Sequence, residues 1–169
     1  QDKMEYSDLV LNIGFRLDYI DIDSEAFENP SNVKFNDAGE IDPNSLVAVD
    51  PILQISPRIG FSFPVTDQTV FHAQYGKFIQ QSRLRDVYQG YNLIADNIKG
   101  GFAISQPVGF GLRPERTTQY EIGFRQQVGD FFAFDITGFY KDIKEQVQLR
   151  QVFAEEGANH KQYYAWVNG

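Results

Sequence analysis

Asp21, Asp23 and Glu25 alternate with single residues and set three carboxylates at a spacing that a hard cation such as calcium accepts through oxygen. The stretch lacks the central glycine and closing glutamate of an EF-hand loop, so a solvated acidic loop is the simpler reading. Arg83, Arg85, Tyr88 and Tyr91 combine cationic and aromatic side chains in a short stretch. That chemistry suits an anionic chelate or a sugar, held by charge-assisted hydrogen bonds and ring stacking. Packing of loop against loop is the plainer role for each of the four taken singly. His72 and His160 have no partner at metal-ligand spacing, and no G-x-S-x-G, H-E-x-x-H or phosphate-cradling glycine loop occurs. Neither an enzyme nor a cofactor is expected.

The elements that must position these residues are read from period two. Leu9, Leu11, Ile13, Phe15, Leu17 and Tyr19 share one parity, against Val10, Asn12, Gly14, Arg16 and Asp18 on the other. Ile59, Phe61 and Phe63 oppose Arg58, Gly60 and Ser62. Phe71, Ala73 and Tyr75 oppose His72, Gln74 and Gly76. Tyr120, Ile122 and Phe124 oppose Gln119, Glu121, Gly123 and Arg125. Strands are expected over about 8–22, 55–64, 69–79, 116–128, 131–149 and 162–169. The parity of 131–149 is mixed, because Phe131 and Phe139 fall with the polar residues and Gly138 with the apolar ones.

Composition bounds what these strands can build. Fifteen Phe and nine Tyr stand against one Met, which fits either a sandwich core or the aromatic girdles of a membrane barrel. The longest run free of Asp, Glu, Lys and Arg is Gly100 to Leu112, short of the ~18 residues of a membrane-spanning helix. No cysteine is present, so disulfide frameworks and thiolate metal sites are excluded. Of the net charge of −8, the segment Ile20 to Gln54 holds −7, from eight acids against Lys34 alone. Nothing clusters Lys and Arg as a phosphate-tracking surface requires, so nucleic acid is not an expected partner.

The connections alternate in length. Long, weakly periodic segments lie at about 23–54, 80–115 and 150–161, and tight turns at about 65–68 and 129–130. Long loops on one rim and short turns on the other are the habit of outer-membrane barrels, whose strands need roughly 9–11 residues to cross. On that reading the long loops are extracellular and the tight turns periplasmic. Leu9, Leu11, Ile13, Phe15, Leu17, Tyr19, Ile59, Phe61, Phe63, Tyr120, Ile122 and Phe124 then face lipid.

Specific pieces sharpen this. Leu112 to Gly123, reading L-R-P-E-R-T-T-Q-Y-E-I-G, resembles the L-x-P-E-x-[ST]-x-x-[YF]-E-x-G segment of TonB-dependent outer-membrane receptor barrels. Phe139-Tyr140-Lys141-Asp142-Ile143 is similar to that family's F-Y-x-x-I strand, and Ser56-Pro57-Arg58-Ile59-Gly60 to its S-P-R-x-G strand start. Tyr75 to Phe78 resembles a strand end of the same family, and Tyr164 to Gly169 the Y-x-N segment that opens its next strand. Pro114-Glu115-Arg116-Thr117 is then a strand start, with Glu115 and Arg116 free to pair across strands, rather than a ligand motif.

The resemblance implies an all-β, antiparallel transmembrane β-barrel of about 22 strands closed by a plug. It further implies active uptake of a scarce nutrient across the bacterial outer membrane, energised by the TonB complex. The implied partners are membrane lipid, a small nutrient ligand (an iron chelate, vitamin or glycan), TonB acting through a plug, and a surface lipoprotein. About five strands and the start of a sixth cannot close such a barrel, so residues 1–169 are expected to be one segment of a single barrel domain. The competing expectation is a secreted all-β module binding glycan or protein. A second sheet covering Leu9, Leu11, Ile13, Phe15 and Leu17 would favour it.

Overall fold

The computed structural model describes residues 2–88, 94–101, 107–109 and 111–169, with Tyr88 described by its backbone alone. In chain order the elements are β1 (Asp2–Tyr6), β2 (Leu9–Ile20), β3 (Glu25–Phe27), β4 (Leu46–Ala48), β5 (Ile52–Thr66), β6 (Thr69–Gln80), α1 (Leu84–Tyr88), α2 (Ile94–Gly100), β7 (Val108–Gly109), β8 (Glu115–Val128), β9 (Phe132–Lys144), β10 (Val147–Val152) and β11 (Tyr163–Asn168). They form two compact units, the first from Gln1–Tyr19, Ile52–Ile79 and Arg116–Lys144, the second from Ile20–Pro51, Gln80–Glu115 and Glu145–Gly169. No described helix is long and apolar enough to cross a membrane, which says nothing about strands.

The first unit is one six-stranded sheet in the order β1-β2-β5-β6-β8-β9. Its hairpins are antiparallel and their registers follow the apolar parity. Ile59 faces Tyr75, Phe61 faces Ala73 and Phe63 faces Phe71 between β5 and β6. Between β8 and β9, Tyr120 faces Tyr140, Phe124 faces Ile136 and Val128 faces Phe132. This pairing resolves the mixed parity of the last strand. Phe134, Ile136, Gly138 and Tyr140 lie with the apolar residues of β8, Phe131 sits in the turn, and Phe139 stands on the polar side under the Lys141 ammonium, 5.4 Å from its ring centroid.

The strand expected over 131–149 is two strands. β9 stops at Lys144, Glu145 takes a left-handed φ of 58°, and β10 resumes at Val147 in a different sheet. A non-glycine residue in that region cannot continue an extended ladder. A short strand, β1, also precedes the first one expected; Met4 and Tyr6 pair with Leu11 and Leu9.

The second unit gives ordered structure to the segments expected as long loops and takes in the last expected strand, 162–169. Its three-stranded sheet runs β10-β11-β7, with β11 and β7 parallel, and β3 pairs with β4. Phe27, Val33, Ile94, Ile98, Val108, Tyr163 and Ala165 form one buried cluster drawn from the first two long segments and from β11. Ile22, Val87 and Leu112 form a second. Polar ties fasten the same segments. Glu155 accepts from the amides of Asn29 and Asn32, Lys99 donates to the Gly39 carbonyl, and the Lys99 ammonium lies 4.7 Å from the Phe35 ring centroid. Buried His160 accepts the Val33 N–H at Nε2 (3.1 Å), so its Nδ1–H donates to the Lys161 carbonyl at 2.8 Å.

Candidate functional site

The sheet of the first unit has two chemically opposite faces. On one, Phe15 is 79% exposed, Leu17 58% and Ile122 55%, and Leu9, Ile13, Tyr19, Ile59, Phe61, Tyr120 and Phe124 are exposed as well; Leu11 and Phe63 are half-buried by their neighbours. Rings tile this face across strands: Phe71 meets Phe63 at 5.3 Å and Phe124 at 5.1 Å, and Tyr75 meets Tyr120 at 5.1 Å between centroids. Edge and tilted ring pairs of this kind contribute beyond their buried area. The unit has a single sheet, so none of its own strands covers this face. Water does not tolerate so large a contiguous apolar surface.

The other face is polar, and several of its side chains pair with one another. Arg125 Nε donates to Asp135 Oδ2 at 3.2 Å, and the Thr137 hydroxyl donates to Asp135 Oδ1 at 3.0 Å. That hydroxyl has spent its one hydrogen, so His72 Nε2, 3.1 Å away, must be the donor to it. His72 reaches across β8 to β9 because Gly123 lies between them. A Cβ on Gly123 would stand 2.5 Å from His72 Nε2. Sequence reasoning placed His72 on the polar parity but missed this network; a glycine at matched register on the intervening strand was the available signal. Arg16 likewise pairs with Asp18 at 2.6 Å.

The loop residues singled out by composition separate. Arg83 precedes α1, is exposed, and its carbonyl accepts the N–H groups of Asp86 and Val87. Exposed Arg85 has Nε 3.7 Å from Asp86 Oδ1. The Tyr88 side chain and Tyr91 lie outside the described residues. Asp21 Oδ1 accepts the Asp23 N–H at 3.0 Å, Asp23 adopts a left-handed φ of 41°, and Glu25 enters β3 opposite Ala48. This is a local turn, and no group of three or more His, Cys, Asp or Glu side chains that could hold a metal ion forms among the described residues.

Comparison with known proteins bears on the two-faced sheet. No curated protein sequence matches the chain. Among solved structures, the copper transporter OprC superposes with a TM-score of 0.54 at 16% identity, over 96% of this chain and 22% of that one. A double mutant of the Serratia marcescens hemophore receptor HasR, in complex with its hemophore HasA and heme, superposes with a TM-score of 0.51 at 14% identity. That match covers 95% of this chain and 25% of that one. The chain thus spans about a quarter or less of the length of these structures, and at such identities the likeness concerns the fold. The family model described as TonB dependent receptor-like, beta-barrel matches residues 1–168, so a sheet with one bare apolar face and one polar face is part of a barrel wall, and this chain belongs to the TonB-dependent receptor β-barrel family.

Proposed function

We propose that the protein takes up a scarce nutrient across the bacterial outer membrane, with this chain forming part of the barrel wall and its external loops. The observation that carries the reading is the bare aromatic and aliphatic face of the six-stranded sheet, opposite a polar face on which Arg16 pairs with Asp18 and Arg125 with Asp135. Lipid satisfies the first and an aqueous lumen the second. A secreted glycan-binding module would instead bury Phe15 and Leu17 under a second sheet.

In this reading Leu9, Leu11, Ile13, Phe15, Leu17, Tyr19, Ile59, Phe61, Phe63, Tyr120, Ile122 and Phe124 contact outer-membrane lipid. Residues 65–68 and 129–130 are periplasmic turns, and 23–54, 80–115 and 150–161 are extracellular. Energy comes from the inner membrane through TonB acting on a plug, and a surface lipoprotein is a compatible partner. The strands enclose a conduit; they carry cargo and do not transform it. OprC is described as a copper transporter and HasR as a hemophore receptor, which makes metal-bearing cargo a reasonable first panel.

Arg83 and Arg85 place two exposed guanidinium groups on one external segment, suited to an anionic chelate. Uptake of radiolabelled iron chelates, cobalamin and oligosaccharides by cells expressing the natural full-length protein, with and without TonB, tests the function. One cargo should accumulate only when TonB is present. Accumulation of none, or accumulation indifferent to TonB, contradicts the proposal. With that cargo, R83A/R85A should raise the half-saturating concentration about tenfold if the cargo is anionic.

A further inference from the structure

The polar face of the first unit contains a cavity of about 280 Å³ lined by Asn12 of β2, Arg58, Ile59 and Gly60 of β5, and Gln74 of β6. Gly60 pairs with Gln74 and Arg58 with Gly76 across the β5–β6 hairpin. The absent side chain at Gly60 leaves the floor open. The absent side chain at Gly76 admits the Phe78 ring, two of whose carbons would stand 2.9 and 3.0 Å from a Cβ built there. Phe78 in turn holds the Arg58 guanidinium 4.7 Å from its ring centroid. An arginine against an aromatic face is fixed in direction while keeping its N–H edge free.

That edge is unspent. Arg58 makes no ion pair or hydrogen bond with any described residue, and its Nε is buried without a partner. Among the described residues Asn12 and Gln74, whose amides also donate, make no side-chain hydrogen bond, and no acidic side chain lines the cavity. Elsewhere on this face Lys3, Arg16 and Arg125 are each within 4 Å of a carboxylate, and the Lys141 ammonium lies over the Phe139 ring. In a chain of 23 acids and 15 bases, an acid-free pocket of three donor side chains is an exception. A buried guanidinium N–H left without an acceptor costs more than an ordinary unmade hydrogen bond.

We propose that Arg58, Asn12 and Gln74 form a carboxylate-binding site, with Arg58 gripping the two oxygens through its planar fork and the two amides flanking them. The carboxylate comes either from a dissolved organic acid or from an Asp or Glu side chain elsewhere in the full-length protein. The site stands on the face geometry and does not depend on which nutrient is transported.

The test uses the natural full-length protein in detergent micelles, labelled with 15N-arginine. The Nε–H resonance of Arg58 is identified by its loss in R58K, and sodium citrate is added against sodium chloride at matched ionic strength. A resonance that moves saturably with citrate, with binding weakened about fivefold by N12A or Q74A, establishes a site for a dissolved carboxylate. A resonance already displaced and protected from water exchange, unmoved by citrate and released as carboxylates protonate below about pH 4, establishes a carboxylate side chain as occupant. A resonance that exchanges freely with water, indifferent to citrate and to acid, overturns the proposal. The R58K spectrum reports whether the variant folds, since its remaining arginine resonances should stay in place.

Discussion

Gly123 is the position where the polar face of the wall is most tightly specified, and Gly123→Ala should destabilise the sheet. A Cβ there would stand 2.5 Å from His72 Nε2 and 2.6 Å from the Ile136 carbonyl oxygen. The two neighbours respond differently. The imidazole can swing away, losing its 3.1 Å bond to Thr137, at about 0.5–1.5 kcal/mol. The carbonyl is held by the β8–β9 ladder, so relieving it shifts backbone, at about 1–3 kcal/mol. Replacing a strand glycine returns about 0.5–1 kcal/mol of chain entropy. The net expectation is a loss of roughly 0.5–4 kcal/mol. His72→Ala should rescue only part of it, because the carbonyl clash persists. Denaturant unfolding of the full-length protein in micelles, for wild type, both single variants and the double variant, measures this. A G123A protein as stable as wild type, or full rescue by H72A, would refute the packing argument.

Two further expectations concern the second unit. Ile98 is fully buried among residues from three segments, so Ile98→Ala should cost about 2–5 kcal/mol. Hydrogen exchange should accelerate in β3, α2 and β11 while β5, β6, β8 and β9 stay protected. Tyr163, 2% exposed and donating its hydroxyl to the Pro30 carbonyl at 2.8 Å, has its phenol pushed well above the ordinary value of 10.0 by burial. The folded form keeps a proton that the unfolded chain releases. Its stabilisation is therefore complete below pH 10 and is lost as pH rises from there towards the folded value. Hydrogen exchange of this unit should steepen above pH 10 in wild type, and Tyr163→Phe should flatten that dependence; an equal slope in both would count against it.

How much of this was legible follows from the range of the interactions. The β2, β5, β6 and β8 strands each carry their facing in their own alternation, and the turns after Thr66 and Val128 announce themselves by Asp67 and by Gly129-Asp130. β1 offers only Met4 and Tyr6 as a pattern, and its strand state comes from the partner it pairs with. The break at Glu145 is a single backbone angle that no local composition signals. The second unit was illegible for a different reason. Its core takes Phe27 and Val33 from one segment, Ile94 and Ile98 from another and Tyr163 from a third, and β7 finds a parallel partner more than fifty residues away. Period-two and period-3.6 patterns report facing within an element, not convergence between segments.

The candidate site divides along the same line. Parity alone separated apolar Leu9, Ile13 and Phe15 from polar Asn12 and Arg16, so both faces of the wall could be read in advance. The His72–Thr137–Asp135–Arg125 network and the Asn12–Arg58–Gln74 pocket required cross-strand register, which alternation leaves free.

The central claim is that the odd-parity residues of β2 meet lipid and the even-parity residues meet water. Single cysteines at positions 12, 13, 16 and 17 of the full-length protein, which this segment's lack of native cysteine makes practical here, can be labelled with a fluorophore in vesicles of brominated lipid. Labels at Ile13 and Leu17 should be strongly quenched by the bromines, and cysteines at Asn12 and Arg16 should react with a charged thiol reagent and stay unquenched. Quenching that ignores parity, or charged-reagent access at 13 and 17, would contradict the account.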